Sequence, residues 1–89
     1  MKMVEGYVLK EIAGEHLIVA TTSATLNGNK ILSLNDTGVL LFNALATEVT
    51  LEDLLKVLTN KYKDLKPEVA QADINIFLNQ LRKAHLLYE

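Results

Sequence analysis

The side chains best suited to acid–base or metal chemistry in this sequence are two histidines, His16 and His85. They stand far apart in the chain, without the His-x-x-x-His spacing that places two imidazoles on one face of a helix. Cysteine is absent, which excludes thiolate nucleophiles, thiolate metal sites and disulfides. We therefore expect both histidines to be surface or edge residues, and we expect no metal site and no cofactor.

Two pairs of carboxylates, Glu52 with Asp53 and Glu11 with Glu15, are the remaining candidates for an acid and a base. Capping of a helix explains the first pair, and solvent-facing positions in a strand explain the second. The chain also lacks the Gly-x-Ser-x-Gly frame of a nucleophilic serine and the Gly-x-x-x-x-Gly-Lys frame of a phosphate-binding loop. We therefore predict that the protein is not an enzyme.

Length and composition narrow the class of protein. With 89 residues, 49% hydrophobic and 22% charged, the chain predicts a single globular domain over residues 1–89. A formal charge of −2 argues against a dedicated nucleic-acid binder, which usually carries a basic excess. No apolar run approaches the roughly 18 residues that a membrane span needs, and the N-terminus lacks an apolar signal region. These features predict a cytoplasmic protein that does not enter the membrane.

The first part of the chain has the pattern of β-strands. From Tyr7 to Leu34 it is rich in β-branched and aliphatic residues, with turn signals at Gly14-Glu15 and Asn27-Gly28. Gly14-Glu15 fits a two-residue hairpin loop with glycine first, which would place Ile12 opposite Leu17. A short third strand, Lys30–Leu34, follows the second turn.

The second part has the pattern of three helices. Asn35 is a good N-cap for the first helix, Thr50 for the second, and Pro67 suits the first position of the third. The third helix carries an inner row of apolar residues that we expect in the core: Ala70, Ile74, Phe77, Leu81 and Ala84. Beside it runs a second, half-apolar row: Val69, Ala72, Asp73, Ile76 and Gln80. The order of elements predicts an α+β fold in which a three-stranded antiparallel sheet precedes three helices.

Three segments together resemble one known family. They are Leu34-Asn35-Asp36-Thr37-Gly38 before an apolar helix, Thr50-Leu51-Glu52-Asp53-Leu54-Leu55 with Tyr62, and the run from Asp73 to Leu81 that ends in Leu86-Leu87. Their order and spacing, over roughly residues 7–88, are similar to the PqqD family. The chain differs from that family at two turns, where Ala46-Thr47-Glu48 and His85 stand in place of the usual glycines.

The resemblance implies a fold and a function. Members of the PqqD family are RiPP recognition elements, where RiPP denotes a ribosomally made and post-translationally modified peptide. They resemble a winged helix-turn-helix and are not enzymes. They bind the leader segment of a precursor peptide and present it to a modifying enzyme such as a radical-SAM protein, a peptidase or a cyclase. The resemblance therefore implies a peptide-binding adaptor here.

The residues suggest where such a peptide would bind. The third strand lies at a sheet edge, so an extended peptide could add to it through main-chain hydrogen bonds. The second row of the third helix would form the other wall of a groove. The predicted peptide-binding residues are Lys30, Ile31, Leu32, Ser33, Leu34, Val69, Asp73, Ile76, Phe77 and Gln80.

Two other functions fit the same order of elements. A winged-helix DNA-binding regulator would use the lysines around the second helix, although Glu68 and Asp73 would repel phosphates from the third. A small scaffold could instead form a homodimer by pairing two copies of the third-strand edge. The sequence does not identify the peptide product, whether pyrroloquinoline quinone, a lasso peptide or another.

Overall fold

Strands precede helices in the structure, a computed structural model that describes residues 1–21 and 30–89. The elements are β1 (Lys2–Met3), β2 (Tyr7–Ile12), β3 (Glu15–Ala20), β4 (Lys30–Leu34), α1 (Asp36–Ala44), α2 (Leu51–Lys61), α3 (Pro67–Lys83) and β5 (Leu87–Tyr88). The three longer strands form an antiparallel sheet in the order β2-β3-β4, and the three helices follow it. The predicted α+β fold is confirmed. The predicted turn at Asn27-Gly28 lies outside the described residues.

The hairpin between β2 and β3 has a different loop from the one predicted. Ile12 pairs with Glu15, so the two loop residues are Ala13 and Gly14. Both have positive φ, +53° and +84°, as a type I′ turn requires. The predicted pairing of Ile12 with Leu17 is therefore wrong by two residues. Glycine stands second in this loop, as in the Asn-Gly pairs that favour type I′, and not first as in type II′.

A shift of two residues does not change the face of the sheet on which each side chain lies, because side chains alternate along a strand. Tyr7, Leu9 and Ile18 face the helices and pack in or against the core. On the opposite face Leu17 is buried, whereas Val8 and Ile12 are 38% and 52% exposed. The sheet therefore has one face that packs against the helices and another face that is more exposed.

A β-bulge interrupts the pairing of β3 with β4. His16, Leu17 and Ile18 pair in regular steps with Leu34, Ser33 and Leu32, but Val19 pairs with Lys30. Ile31 is thus an extra residue in β4. A bulge bends its strand and increases the local twist, so β4 curves before it enters α1.

The predicted helix starts are confirmed by their caps. The Asn35 side chain accepts a hydrogen bond from the Gly38 backbone N–H at 2.8 Å. Thr50 and Asp53 form a reciprocal capping box, with bonds of 2.9 and 3.1 Å. Pro67 is the first residue of α3. These bonds satisfy N–H groups that have no partner within the helix.

One cluster of buried side chains joins the sheet to all three helices. From the sheet it includes Ile18 and Leu34, and from the helices Leu41, Leu45, Leu54, Leu58, Ala70, Ile74, Phe77, Leu78 and Leu81. Four residues of the predicted inner row of α3 are buried, and Ala84 is half-buried. Leu78, which was not assigned to that row, is also buried. The second row, by contrast, remains exposed, with Val69 at 47% and Ile76 at 60%.

A second, two-stranded sheet was not predicted. Lys2 pairs with Tyr88 and Met3 with Leu87, so β1 and β5 are antiparallel neighbours. The Met3 N–H also donates to the Leu45 carbonyl at 3.0 Å, which ties this sheet to the end of α1. Strands of two residues are too short to show any periodicity in sequence. Their pairing depends on the tertiary fold.

The end of α3 explains the conformation of His85. The Leu86 N–H donates to the Leu81 carbonyl at 2.9 Å, and the His85 N–H donates to the Arg82 carbonyl at 3.1 Å. This is a Schellman motif, in which the residue after the C-cap adopts the left-handed conformation. His85 has φ +59° and occupies that position. Glycine is usual at such a position because it lacks a Cβ.

Of the helices in residues 1–21 and 30–89, none combines the length and the hydrophobicity that a membrane crossing requires.

We expect His85→Gly to stabilise the protein. The left-handed conformation costs a non-glycine residue about 1–2 kcal/mol, and the greater freedom of glycine in the unfolded chain offsets about 0.5–1 kcal/mol of the gain. The free energy of unfolding in urea should therefore rise by about 0.5–1 kcal/mol. His85→Ala is the control, because it removes the imidazole and keeps the Cβ. An equal gain in both variants would contradict the backbone explanation.

The capping box predicts an acidic shift for Asp53. The backbone N–H of Thr50, and then its side chain, hydrogen-bond to the Asp53 carboxylate and lower its pKa. Because the folded pKa is depressed, the stabilisation is complete above the ordinary aspartate pKa of about 3.9 and is lost as the pH falls through the lowered value. NMR titration of the Asp53 carboxyl carbon should give a pKa below the ordinary aspartate value. Thr50→Val removes the hydroxyl and keeps the backbone N–H, so it should raise the pKa of Asp53 part of the way back to the ordinary value. A normal pKa in the parent protein would refute the prediction.

Candidate functional site

The edge of the three-stranded sheet at β4 is the first part of the candidate site. Among the described residues, β4 pairs with β3 on one side and with no strand on the other. An edge strand presents unpaired backbone N–H and C=O groups along its free side. On this strand Ser33 is exposed, and its hydroxyl donates to Glu15 at 3.3 Å. The free side of β4 can therefore accept another extended chain.

A cleft of about 500 Å³ separates the Leu34 end of β4 from α3. From α3, four residues spaced i, i+3, i+4 and i+7 line it, which places them on one face of the helix. Together with the residues from β4 and the first turns of α1, the lining is Ser33, Leu34, Asn35, Thr37, Gly38, Leu41, Asp73, Ile76, Phe77 and Gln80.

The cleft combines an apolar floor with a polar rim. Leu34, Leu41 and Phe77 are buried and form its deep side, whereas Asp73, Ile76 and Gln80 on α3 are exposed. A concave surface that brings buried apolar side chains and several polar groups together is suited to binding a ligand. It suits a ligand with both apolar side chains and main-chain hydrogen-bonding groups.

Six of the ten predicted site residues lie together in this cleft: Ser33, Leu34, Asp73, Ile76, Phe77 and Gln80. Leu32 does not line it and packs half-buried against the core. Val69 lies outside the lining, exposed on the first turn of α3. The backbone of Lys30 and Ile31 belongs to β4, but the side chains of these two residues lie outside the described part of the structure.

Sequence reasoning missed the contribution of α1. Asn35, Thr37, Gly38 and Leu41 line the cleft, although the sequence predicted only a capping role for Asn35. A Cβ on Gly38 would lie 3.2 Å from the Leu34 Cβ and 3.3 Å from the Asn35 Oδ1. The absent side chain therefore lets α1 approach β4 closely at the wall of the cleft. The sequence indicates this close approach by the N-cap Asn35, which directly follows β4, and by Gly38 in the first turn of α1.

A second cleft, of about 630 Å³, continues from the first past the start of α1 towards the turn between α2 and α3. Asn35, Thr37 and Asp73 line both clefts. The second cleft is also lined by Asp36, Tyr62, Lys63, Asp64 and Leu65. Among the described residues that line it, Asp36, Asp64 and Asp73 each carry a carboxylate, and Lys63 carries an ammonium group.

Neither His16 nor His85 lines the first cleft. His16 borders a separate depression of about 300 Å³ beside α1 and the end of α2, and His85 stands at the end of α3. Within residues 1–21 and 30–89, no three His, Asp or Glu side chains are grouped so as to hold a metal ion. Among the described residues, Asp73 is the one acidic or basic residue that lines the first cleft.

Two solved structures have the same fold. One is "TbiB1 in Complex with the TbiA(beta) Leader Peptide", with a TM-score of 0.73 and 20% identity over 100% of this chain and 99% of that one. The other is "Lasso peptide synthetase B1 complexed with the leader peptide", with a TM-score of 0.72 and 17% identity over 99% of this chain and 96% of that one. At these identities the likeness establishes the fold alone.

Family membership follows from the sequence itself. No curated protein matches the chain, but a family does, over residues 8–87. The match begins in β2 and ends in β5, so it contains the sheet, the three helices and the cleft between β4 and α3. The chain therefore belongs to the family described as "Coenzyme PQQ synthesis protein D (PqqD)".

Proposed function

We propose that this protein binds the leader segment of a ribosomally made precursor peptide and presents it to a modifying enzyme, without catalysing a reaction itself. The leader adds to β4 as a further strand and lies in the cleft between β4 and α3. The observation that carries the proposal is the position of the cleft directly beside the edge of β4 that is unpaired among the described residues. Residues 1–89 act as one recognition unit in this proposal.

Strand addition divides affinity and specificity between two kinds of contact. Main-chain bonds to β4 supply affinity for any extended peptide, and pockets beside the strand select its side chains. Alternate side chains of an added strand point to the same face. One set would face the apolar floor formed by Leu34, Leu41 and Phe77, while the exposed Ile76 and Gln80 of α3 would close over the peptide.

The comparisons support this assignment. Both solved structures of the same fold are complexes with leader peptides, one of TbiB1 and one of lasso peptide synthetase B1. This chain covers nearly all of each of those proteins, so the likeness includes the elements that form the cleft. Membership of the PqqD family, whose description names coenzyme PQQ synthesis, supports a role in biosynthesis.

The adaptor role is consistent with what the cleft can and cannot supply. Its lining offers hydrophobic contacts and hydrogen bonds but no imidazole and no paired carboxylates. In this proposal the chemistry is supplied by a partner such as a radical-SAM protein, a peptidase or a cyclase. Leader peptides are usually disordered, and ordering them on binding opposes association. The affinity should therefore be modest for the area buried.

The acidic residues on α3 argue against the DNA-binding alternative. Glu68 and Asp73 are both exposed on this helix, and a DNA backbone would bring phosphates against them. The scaffold alternative remains a competing use of β4, because a second copy could pair with the same edge.

Calorimetry with each precursor peptide encoded beside this protein should give a complex of one peptide to one protein. A constant dimer that binds none of these peptides would favour the scaffold.

Ile76→Glu should abolish most of the peptide affinity. Ile76 is 60% exposed, so the change should leave the free energy of unfolding nearly unchanged, but it places a charge in the wall of the cleft. We expect the dissociation constant measured by calorimetry to rise at least about tenfold, as for a central interface residue.

Asn75→Glu is the matched control, because Asn75 is exposed on the same helix and does not line the cleft. Val69→Glu tests whether the peptide-binding surface extends from the cleft to the first turn of α3, where Val69 lies. Equal binding by the parent protein and Ile76→Glu would exclude this cleft as the binding site.

Backbone methylation of the bound peptide tests strand addition separately from binding. In an added strand, alternate N–H groups of the guest point towards β4 and the others point away. A series of synthetic leaders, each N-methylated at one amide, should therefore show weakened binding at every second position. Uniform sensitivity, or none, along the segment would show that the leader binds in another conformation.

A further inference from the structure

We infer that the leader peptide extends beyond the Leu34 end of β4 into the second cleft and carries a lysine or arginine there. This inference rests on the proposed function and adds the chemical class of side chain that the site selects. The acceptors for that side chain are the carboxylates of Asp36, Asp64 and Asp73. The geometry and charge of the two clefts carry the argument.

The two clefts form a continuous path. Both are lined by Asn35, Thr37 and Asp73, so a peptide that leaves the first cleft at the end of β4 meets the second one directly. β4 ends at Leu34, and Asn35 already belongs to the cap of α1. Strand pairing therefore stops at this point, and side-chain contacts must hold whatever part of the guest lies beyond.

The charge along this path changes from nearly neutral to negative. Among the described residues, the first cleft has one acidic lining residue, Asp73, and the second has three against a single lysine, Lys63. Among the described residues, none of these three carboxylates lies within 4.0 Å of a cationic group. Their charges are therefore available to a ligand.

The start of α1 does not reverse this preference. A helix N-terminus normally favours anions, because its first N–H groups lack partners. Here the Asn35 side chain accepts from the Gly38 N–H at 2.8 Å, and Asp36 adds a negative charge in the first turn. One N–H at this end of the helix therefore already has an acceptor, and the first turn already carries a negative charge, so the start of α1 is a poor anion site.

The walls of the second cleft suit a long cationic side chain in particular. Tyr62 and Leu65 line it and are half-buried, so they offer apolar surface beside the carboxylates. Lysine and arginine bury an aliphatic stem against such a surface while the charged head stays in contact with water and acidic groups. An aromatic ring also attracts a nearby cation. A small cation or a short polar side chain would use only part of this arrangement.

Selection from a random displayed peptide library against the immobilised full-length protein tests the inference. We expect the enriched peptides to combine an apolar strand-forming segment with lysine or arginine at a constant distance from it. Selection on the double variant Asp36→Asn/Asp64→Asn, which changes only residues outside the lining of the first cleft, should lose the basic residue and keep the apolar segment. Glu68→Gln, which removes an exposed charge of α3 outside both clefts, should behave like the parent protein.

A synthetic peptide taken from that selection gives the quantitative test. Its affinity should fall about twofold to fivefold in the double variant at low salt, and this difference should shrink as salt is added. Replacing its basic residue with glutamine should cause the same loss on the parent protein and none on the double variant.

The outcomes separate this inference from the proposed function. Enriched apolar peptides whose binding is lost in Ile76→Glu, but which show no preference for a basic residue, would overturn the inference and leave the peptide-binding role standing. Failure to enrich any peptide that depends on Ile76 would overturn both.

Discussion

The hydrogen bond between the Asn35 side chain and the Gly38 backbone N–H holds the junction on which the site depends. It starts α1 immediately after β4, and the missing Cβ of Gly38 allows the first turn of α1 to lie against Leu34. If this turn started later or stood further away, the end of β4 would not form a wall of the cleft. A cap of this kind stabilises a helix by about 1 kcal/mol. This small local contribution helps to hold the start of α1, which lines both clefts.

A thin core explains why a surface is left over for binding. A chain of this length can bury only about 60–65% of its unfolded surface. The inner row of α3 completes the core, and the sheet contributes one face. The second row of α3, with Ile76, has no internal partner among the described residues and remains beside the edge of β4. An exposed apolar row next to an open strand edge is the combination that a guest strand can cover.

The two ends of the described fold also reinforce α3. The β1–β5 pair joins Met3 and Leu86 to the same buried cluster as Phe77 and Leu81. The Schellman motif at His85 turns the chain from α3 into β5, and the left-handed backbone there is kept although histidine replaces the usual glycine. The helix that forms one wall of the cleft is therefore held at its C-terminal end by hydrogen bonds and packing. A rigid wall lowers the entropy lost when a peptide binds.

We could predict from the residues alone the order and type of the main elements, the caps at Asn35 and Thr50, and the two rows of α3, because local periodicity and capping depend on neighbours within one turn. The sequence also placed Ser33, Leu34, Asp73, Ile76, Phe77 and Gln80 in one candidate site. Contacts between distant segments, in contrast, place Val69 and Leu32 outside the cleft, bring α1 into its lining, and form a second, acidic cleft that continues from it. The register of the β2–β3 hairpin and the pairing of β1 with β5 also depend on the tertiary structure. Each of these depends on which distant segments meet, and a period along the chain contains no information about that.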